Sequence, residues 1–346
     1  MEVYFVDVGQ GTCQVILLGD QRAIVIDCGI KGARKSDHIA LHFLKRHDIK
    51  RIECLITSHS DRDHTGGAIS ILDAYADNIG RIFVIQDHKF LTTKYWQRID
   101  YFARKGVIGP DQVFPLHIEG KPRLLWSESE TQLRCFSPTY MGNLQSQVKE
   151  DTNSTSAVLI LDHLGRRIVF AADSVIAQWR EIYEKRGNKT LECDVLAVSH
   201  HGGLCNEKAG DLDWLYDHAL NAKIALLSVG TVKNPEHPRQ EVVAKLRSVG
   251  STVLCTELTR LCHPKPQSLK PGVLQPQTHL GRSIDQPSSQ WTACAGTVKI
   301  EFNDNGCAVD KLNEHQNAVD SLAQTSAEGV CPLCRLVPAL GAADQS

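Results

Sequence analysis

The six residues His59-Ser60-Asp61-Arg62-Asp63-His64 constrain this chain more than anything else in its sequence. Two imidazoles and two carboxylates come directly after the apolar run Cys54-Leu55-Ile56, so a strand ends and at once offers nitrogen and oxygen donors at the mouth of a sheet. A donor set without thiolate suits Zn²⁺ or Mn²⁺ rather than a structural zinc of the cysteine type. Gly66-Gly67 then lets the backbone turn tightly into the helical run Ala68 to Ala76. The plainer reading is a polar loop in which Asp63 caps a helix, but an N-cap has no use for two histidines beside it. The stretch reads as a metal site.

A chain of 346 residues holds one large domain or two of ordinary size. Its formal charge of -2 and pI of about 6.7 supply no global basic field toward nucleic acid or an anionic membrane, although a local basic groove stays compatible with both. No apolar run reaches the roughly 18 residues of a membrane span, and no membrane partner is expected. The chain enters the strand pattern Val3-Tyr4-Phe5-Val6 with no basic region and no apolar core of a signal peptide, which points to the cytoplasm. There the 12 cysteines are reduced thiols or metal ligands rather than a disulfide framework. Cys13, Cys28, Cys54, Cys135 and Cys193 read as small buried apolar residues.

Short β-branched runs bounded by Gly and Asp open the chain: Val3 to Val8, Cys13 to Leu18 and Ala23 to Asp27. Asp7 and Asp27 end strands beside glycines, where holding loops through backbone N–H groups is the reading preferred over ligation. Helical spacing over Ser36 to His47 leads into the strand Arg51 to Ile56 that delivers the metal motif. A strand at Arg81 to Ile85, a helix around Lys94 to Lys105 and a strand at Thr131 to Ser137 follow, then a polar loop from Pro138 to Thr155. His38, His42, His47, His88 and His117 have no donor-rich neighbours and read as surface or packed residues.

Two later strands repeat the logic of the first motif. Arg167 to Ala172 ends in Asp173, and Asp194 to Val198 ends in Ser199-His200-His201-Gly202-Gly203. A histidine pair at a strand end, followed by two glycines, reads as metal-binding or catalytic. The last unit runs from Lys223 to Gly230, through a turn carrying His237, to a helix at Gln240 to Val249 and a strand at Thr252 to Thr256. His237 is expected to be exposed, as a base, a donor to phosphate or a turn residue. Donors at successive strand ends, with helices between, describe an α/β fold of two mixed sheets face to face with helices outside, an αββα sandwich.

These residues resemble the metallo-β-lactamase superfamily, and within it the soluble hydrolase domain of the competence protein ComEC and its free-standing relatives. The resemblance rests on Val6-Asp7-Val8-Gly9-Gln10-Gly11, Ile26-Asp27-Cys28-Gly29, a His-x-Asp-x-Asp-His motif, Asn153-Ser154-Thr155-Ser156, Ala172-Asp173, Ser199-His200-His201-Gly202, Ser228-Val229-Gly230 and Asn234 to Pro238. It implies a hydrolase domain over residues 1–258 and 296–303. It further implies two divalent cations, Zn or Mn. His59 and Asp61 would hold one, Asp63 and His64 the other, with Asp173 as the bridge. His200 or His201 would complete the second site, His200 being favoured because it lies nearer the strand end. The superfamily's further His ligand has no counterpart near Asn153. His201, His237 and Asn153 are then candidates to donate to phosphate or protonate a leaving oxygen, and Asp61 has a second role in orienting or deprotonating water.

The expected activity is phosphodiester hydrolysis, most simply by a nuclease on DNA. Arg62, Lys233, Arg239 and Lys245 are the basic residues near the mouth. A lactonase-type hydrolase of small esters or amides is the enzymatic alternative. A partner-activated subunit of a multi-protein system, antiphage defence for example, is the other. Residues 259–295 form an insert rich in Pro, Ser and Gln, and 304–346 a tail in which Asp304 to Gln324 is expected to be a polar linker and a short helix. The tail's Cys331-Pro332-Leu333-Cys334 pair suits a further structural zinc. Its other ligands would come from Cys255, Cys262, His263 or Cys294.

Overall fold

The structure is a computed structural model that describes residues 1–29, 39–204, 207–208, 210–231, 237–263, 294–303, 306–310, 312–325 and 334. The start of the first expected helix, the loop residues Lys233 and Asn234, residues 264–293 of the insert, and Cys331 lie outside these.

Among the described residues, fifteen strands form two mixed sheets. β1 (Glu2–Phe5), β2 (Gln14–Gly19), β3 (Arg22–Ile26), β4 (Arg51–Ile56), β5 (Ile79–Val84) and β6 (Val113–Pro115) belong to the first, with β14 (Val298–Asn303) and β15 (Gly306–Val309). The second holds β7 (Arg123–Glu128), β8 (Thr131–Ser137), β9 (Val158–His163), β10 (Arg166–Phe170), β11 (Val195–Ala197), β12 (Ile224–Leu227) and β13 (Thr252–Cys255). The orders are β15-β14-β1-β2-β3-β4-β5-β6 and β13-β12-β11-β10-β9-β8-β7. In each sheet one half is parallel, β3 through β6 and β10 through β13, so the carboxyl ends of those strands open on one side.

Alternation along each strand builds the layers. Val3 and Phe5 of β1 face the second sheet, with Ile16, Ile24, Leu159, Leu161 and Phe170, while Tyr4 faces outward. Phe5 and Phe170 stack across the interface with ring centroids 6.0 Å apart. Outside the first sheet pack α1 (Ile39–Arg46), α3 (Ala68–Tyr75) and α4 (Lys94–Arg104), reached through the one-turn α2 (Arg62–Thr65). Outside the second pack α6 (Ile176–Arg186), with the fully buried Trp179, and α8 (Gln240–Ser248), the two being separated by α7 (Asp211–Asp213) and a π-helical stretch, Trp214–Leu220. The αββα sandwich expected from the strand-end pattern is the fold. Cys13, Cys28, Cys54, Cys135 and Cys193 are buried in it as expected.

Two segments differ from expectation. The polar stretch Pro138 to Thr155 contains a helix, α5 (Tyr140–Lys149), started by Thr139, whose hydroxyl accepts from the Gly142 N–H at 3.0 Å. Its buried face is polar, Asn143 and Ser146, so no apolar stripe announces it. Downstream, the expected helix is present as α9 (Leu312–Thr325), but part of the expected linker is the strand β15, which extends the first sheet by pairing antiparallel with β14.

Candidate metal centre

Four parallel strands end at one mouth. β3 hands over to Asp27, β4 to Ser58 and His59, β10 to Asp173, and β11 to His200 and His201. There His64 Nε2 lies 3.2 Å from Asp173 Oδ1, and His59 Nε2 lies 3.7 Å from Asp173 Oδ2. His201 Nε2 is 3.9 Å from both Asp63 Oδ2 and Asp173 Oδ1, and His200 Nε2 is 3.9 Å from Asp173 Oδ2. Two overlapping sets, His59-Asp63-His64 and His64-Asp173-His201, each gather their donor atoms within 4.8 Å. Six residues from three separate strand ends, His59, Asp63, His64, Asp173, His200 and His201, thus converge.

The donors fit divalent metal. Nε2 of His59, His64 and His201 and Oδ1 of Asp173 are buried without a hydrogen-bond partner in the protein. Four such atoms facing one another are costly unless a ligand satisfies them together. The charges agree. Burial would strip His64 of its proton, but the Asp173 and Asp27 carboxylates outweigh it and hold its pKa well above the ordinary value. Burial likewise opposes charge on Asp173, yet His64 and His201 keep its pKa well below the ordinary carboxylate range. For His59, burial wins, helped by His64 alongside, and its pKa falls. Positive charge is wanted at the centre of the cluster, where a cation would supply it.

A second layer fixes the rings. His64 Nδ1 donates to Asp27 Oδ2 at 2.7 Å, and the same carboxylate accepts from the Ser58 N–H at 2.7 Å and the Ser58 hydroxyl at 2.6 Å. His201 Nδ1 donates to the Ser228 carbonyl at 2.7 Å. Both contacts turn Nε2 toward the cluster, as metal-binding imidazoles require. Asp27 therefore does hold a loop, as its position predicts, and also orients a histidine. Asp7 holds one too, accepting from the Gly9 N–H at 3.1 Å.

The backbone is unusual where the donors emerge. Ala172, His200 and His201 have φ of 47°, 50° and 54°, a left-handed conformation that side chains rarely adopt and that collects at functional sites. Gly29 lies so close to the motif that a Cβ there would fall 1.3 Å from the Asp63 carbonyl oxygen. The turn it closes is tied to the motif by the Cys28 N–H, which donates to the His64 carbonyl at 2.8 Å.

The N-cap position of α2 is held by Asp61, not Asp63, and its side chain makes no capping bond. Asp61 instead accepts from Lys89 Nζ at 2.7 Å and from the Thr152 hydroxyl at 3.2 Å. Lys89 and Thr152 are functional-site residues that sequence reasoning missed. Thr152 had a signal in its adjacency to Asn153, which itself opens the turn Asn153–Thr155; Lys89 had none. His237 is half-buried rather than exposed, its ring 5.2 Å from that of His200 and 6.1 Å from that of His201. Burial, then the two neighbouring imidazoles, push its pKa down to about 4. Of the four basic residues expected at the mouth, Lys245 is occupied elsewhere, paired with Asp213 at 2.6 Å, and Lys233 lies outside the described residues.

Fold and cluster together define a metal-dependent hydrolase of the αββα class. The model of the metallo-beta-lactamase superfamily matches residues 6–204, and the chain belongs to that superfamily. It is 24% identical over 270 residues to ComE operon protein 3 of Bacillus subtilis (strain 168), a match covering 74% of this chain and 32% of that protein. The chain thus spans about a third of that relative's length. Among solved structures it is similar to Zn²⁺-bound PqqB from Methylobacterium extorquens (10% identity, 74% of this chain and 98% of that one, TM-score 0.44). It is also similar to the short form of human tRNase Z (14% identity, 66% and 92%, TM-score 0.42). No helix among the described residues is long and apolar enough to cross a membrane.

Proposed function

We propose that the chain is a phosphodiesterase, most simply a nuclease acting on DNA, working through two divalent cations held by His59, Asp63, His64, Asp173 and His201. The observation that carries the reading is the buried, unmatched set of Nε2 and carboxylate atoms with no thiolate among them. A pair of Zn²⁺ or Mn²⁺ ions there would supply a water of lowered pKa and neutralise charge on the phosphate. His201 takes the ligand role in preference to His200, because its Nδ1 is anchored on Ser228 and its Nε2 shares a set with His64 and Asp173. The roles expected for the pair are thereby exchanged, and His200, with a quarter of its side chain exposed (24%), faces the substrate.

Asp61 has both carboxylate oxygens engaged, by Lys89 and Thr152, and so orients the attacking water rather than ligating. Lys89, half-exposed beside it, supports the phosphate. His200, His237 and Asn153 are the rim donors to its non-bridging oxygens.

The test uses bis-p-nitrophenyl phosphate and labelled single- and double-stranded DNA with Mn²⁺, Zn²⁺ or Mg²⁺, beside Asp63→Ala and Asp173→Ala. Metal-dependent cleavage lost in both variants is expected. Silence of the metal-loaded wild type on every phosphodiester sinks the reading.

A further inference from the structure

The carboxyl end of β13, the start of the segment leading into β14, α9 and the residue Cys334 come together on the far side of the second sheet. Cys255, Cys294, His315 and Cys334 are all buried there. The Cys294 and Cys334 sulfurs are 3.8 Å apart, and Cys294 Sγ is 3.5 Å from His315 Nε2. A disulfide needs sulfurs about 2.05 Å apart, so these thiols are not joined. Tetrahedral zinc with Zn–S of about 2.3 Å and Zn–N of about 2.0–2.1 Å requires S···S of about 3.8 Å and S···N of about 3.5 Å. The observed separations are the edges of that tetrahedron.

We infer that Cys255, Cys294, His315 and Cys334 form a structural zinc site, independent of the hydrolytic centre. Three of the four gather their donor atoms within 4.8 Å, and the Cys334 sulfur has the Cys255 and Cys294 thiols and the His315 imidazole as its side-chain neighbours. The Cys255 N–H donates to the Cys334 sulfur at 3.3 Å, the kind of contact that supports a thiolate. The far nitrogen of His315, Nδ1, meets the Gln316 amide at 3.2 Å, so the ring is held with Nε2 toward the sulfurs.

Among the described side chains of the 14-residue α9, His315 and Val319 are buried. A metal held by His315 would anchor the helix and tie both flanks of the insert to Cys334. The expected ligand set changes accordingly. His315 enters, Cys255 and Cys294 are the two taken from the four candidates, and Cys331 lies outside the described residues. Cys262, a neighbour of Cys255 and Cys294, has its sulfur 3.6 Å from the Thr259 hydroxyl.

The experiment loads the full chain with Co²⁺ and records its absorption. Thiolate ligation gives a near-ultraviolet sulfur-to-cobalt charge-transfer band, and a centre built only from nitrogen and oxygen donors gives none. The band is expected in the wild type and in a variant combining Asp63→Ala with Asp173→Ala, which should also keep one zinc per chain. It should vanish in Cys294→Ser, Cys334→Ser and Cys255→Ser and persist in Cys262→Ser and Cys193→Ser. A natively folded wild type with no such band overturns the site, without reliance on any variant's folding. A band lost in Cys262→Ser and kept in Cys255→Ser overturns the fourth ligand.

Discussion

At the residue scale, Asp27 shows how a single carboxylate serves two ends. One oxygen takes the Ser58 N–H and the other takes His64 Nδ1, so the loop and the ring are fixed by the same group. Asp27→Asn keeps the shape but removes the charge that orients and polarises the imidazole. The expected outcome is a metal affinity lower by about 10–100-fold with the fold retained, measured by competition with a chromogenic chelator. Unchanged affinity would restrict Asp27 to the loop. The metal motif was legible because its donors are adjacent in sequence; Lys89 was not, because only the fold brings a lysine 28 positions away onto Asp61. The choice between His200 and His201 was hidden for a related reason. Both lie in left-handed backbone, and ring direction there depends on the Ser228 carbonyl, which the local sequence does not announce.

At the element scale, legibility followed burial. β4 and β8 were readable to the residue, and α3 nearly so, since apolar periodicity marks them. β7 and β15 escaped because both lie at sheet edges, where half-exposed residues blur the pattern. The turn after β3 carries a sharper requirement than either. Gly29→Ala must push the backbone away from Asp63, whereas Gly19→Ala meets nothing within 4 Å and bears only a left-handed Cβ. Thermal melts should show a cost of about 1 kcal/mol for Gly19→Ala. For Gly29→Ala the cost should be about 3 kcal/mol or more, with loss of bound metal. Equal melts would mean that the turn yields freely.

At the scale of the whole molecule, the two sheets share one interior. Phe5 and Phe170 belong to different sheets but to a single buried layer, so neither sheet is stable with its partner's face removed. Phe5→Ala is expected to cost about 3–5 kcal/mol, read from the shift in urea midpoint. Circular dichroism and tryptophan fluorescence, the latter reporting Trp96 behind the first sheet, Trp126 between the sheets and Trp179 behind the second, should shift together. Separated transitions would show that the sheets unfold alone.

The pairing of β1 has a consequence for synthesis. Its two neighbours are β2, made next, and β14, whose Ile300 lies opposite Val3. On a ribosome the edge of β1 toward β14 therefore stays open until that strand has been translated, about 290 residues later, and β15 is then added outside it. A chain stopped before Val298 exposes a row of unpaired backbone groups on an otherwise buried apolar strand, and such edges recruit other chains.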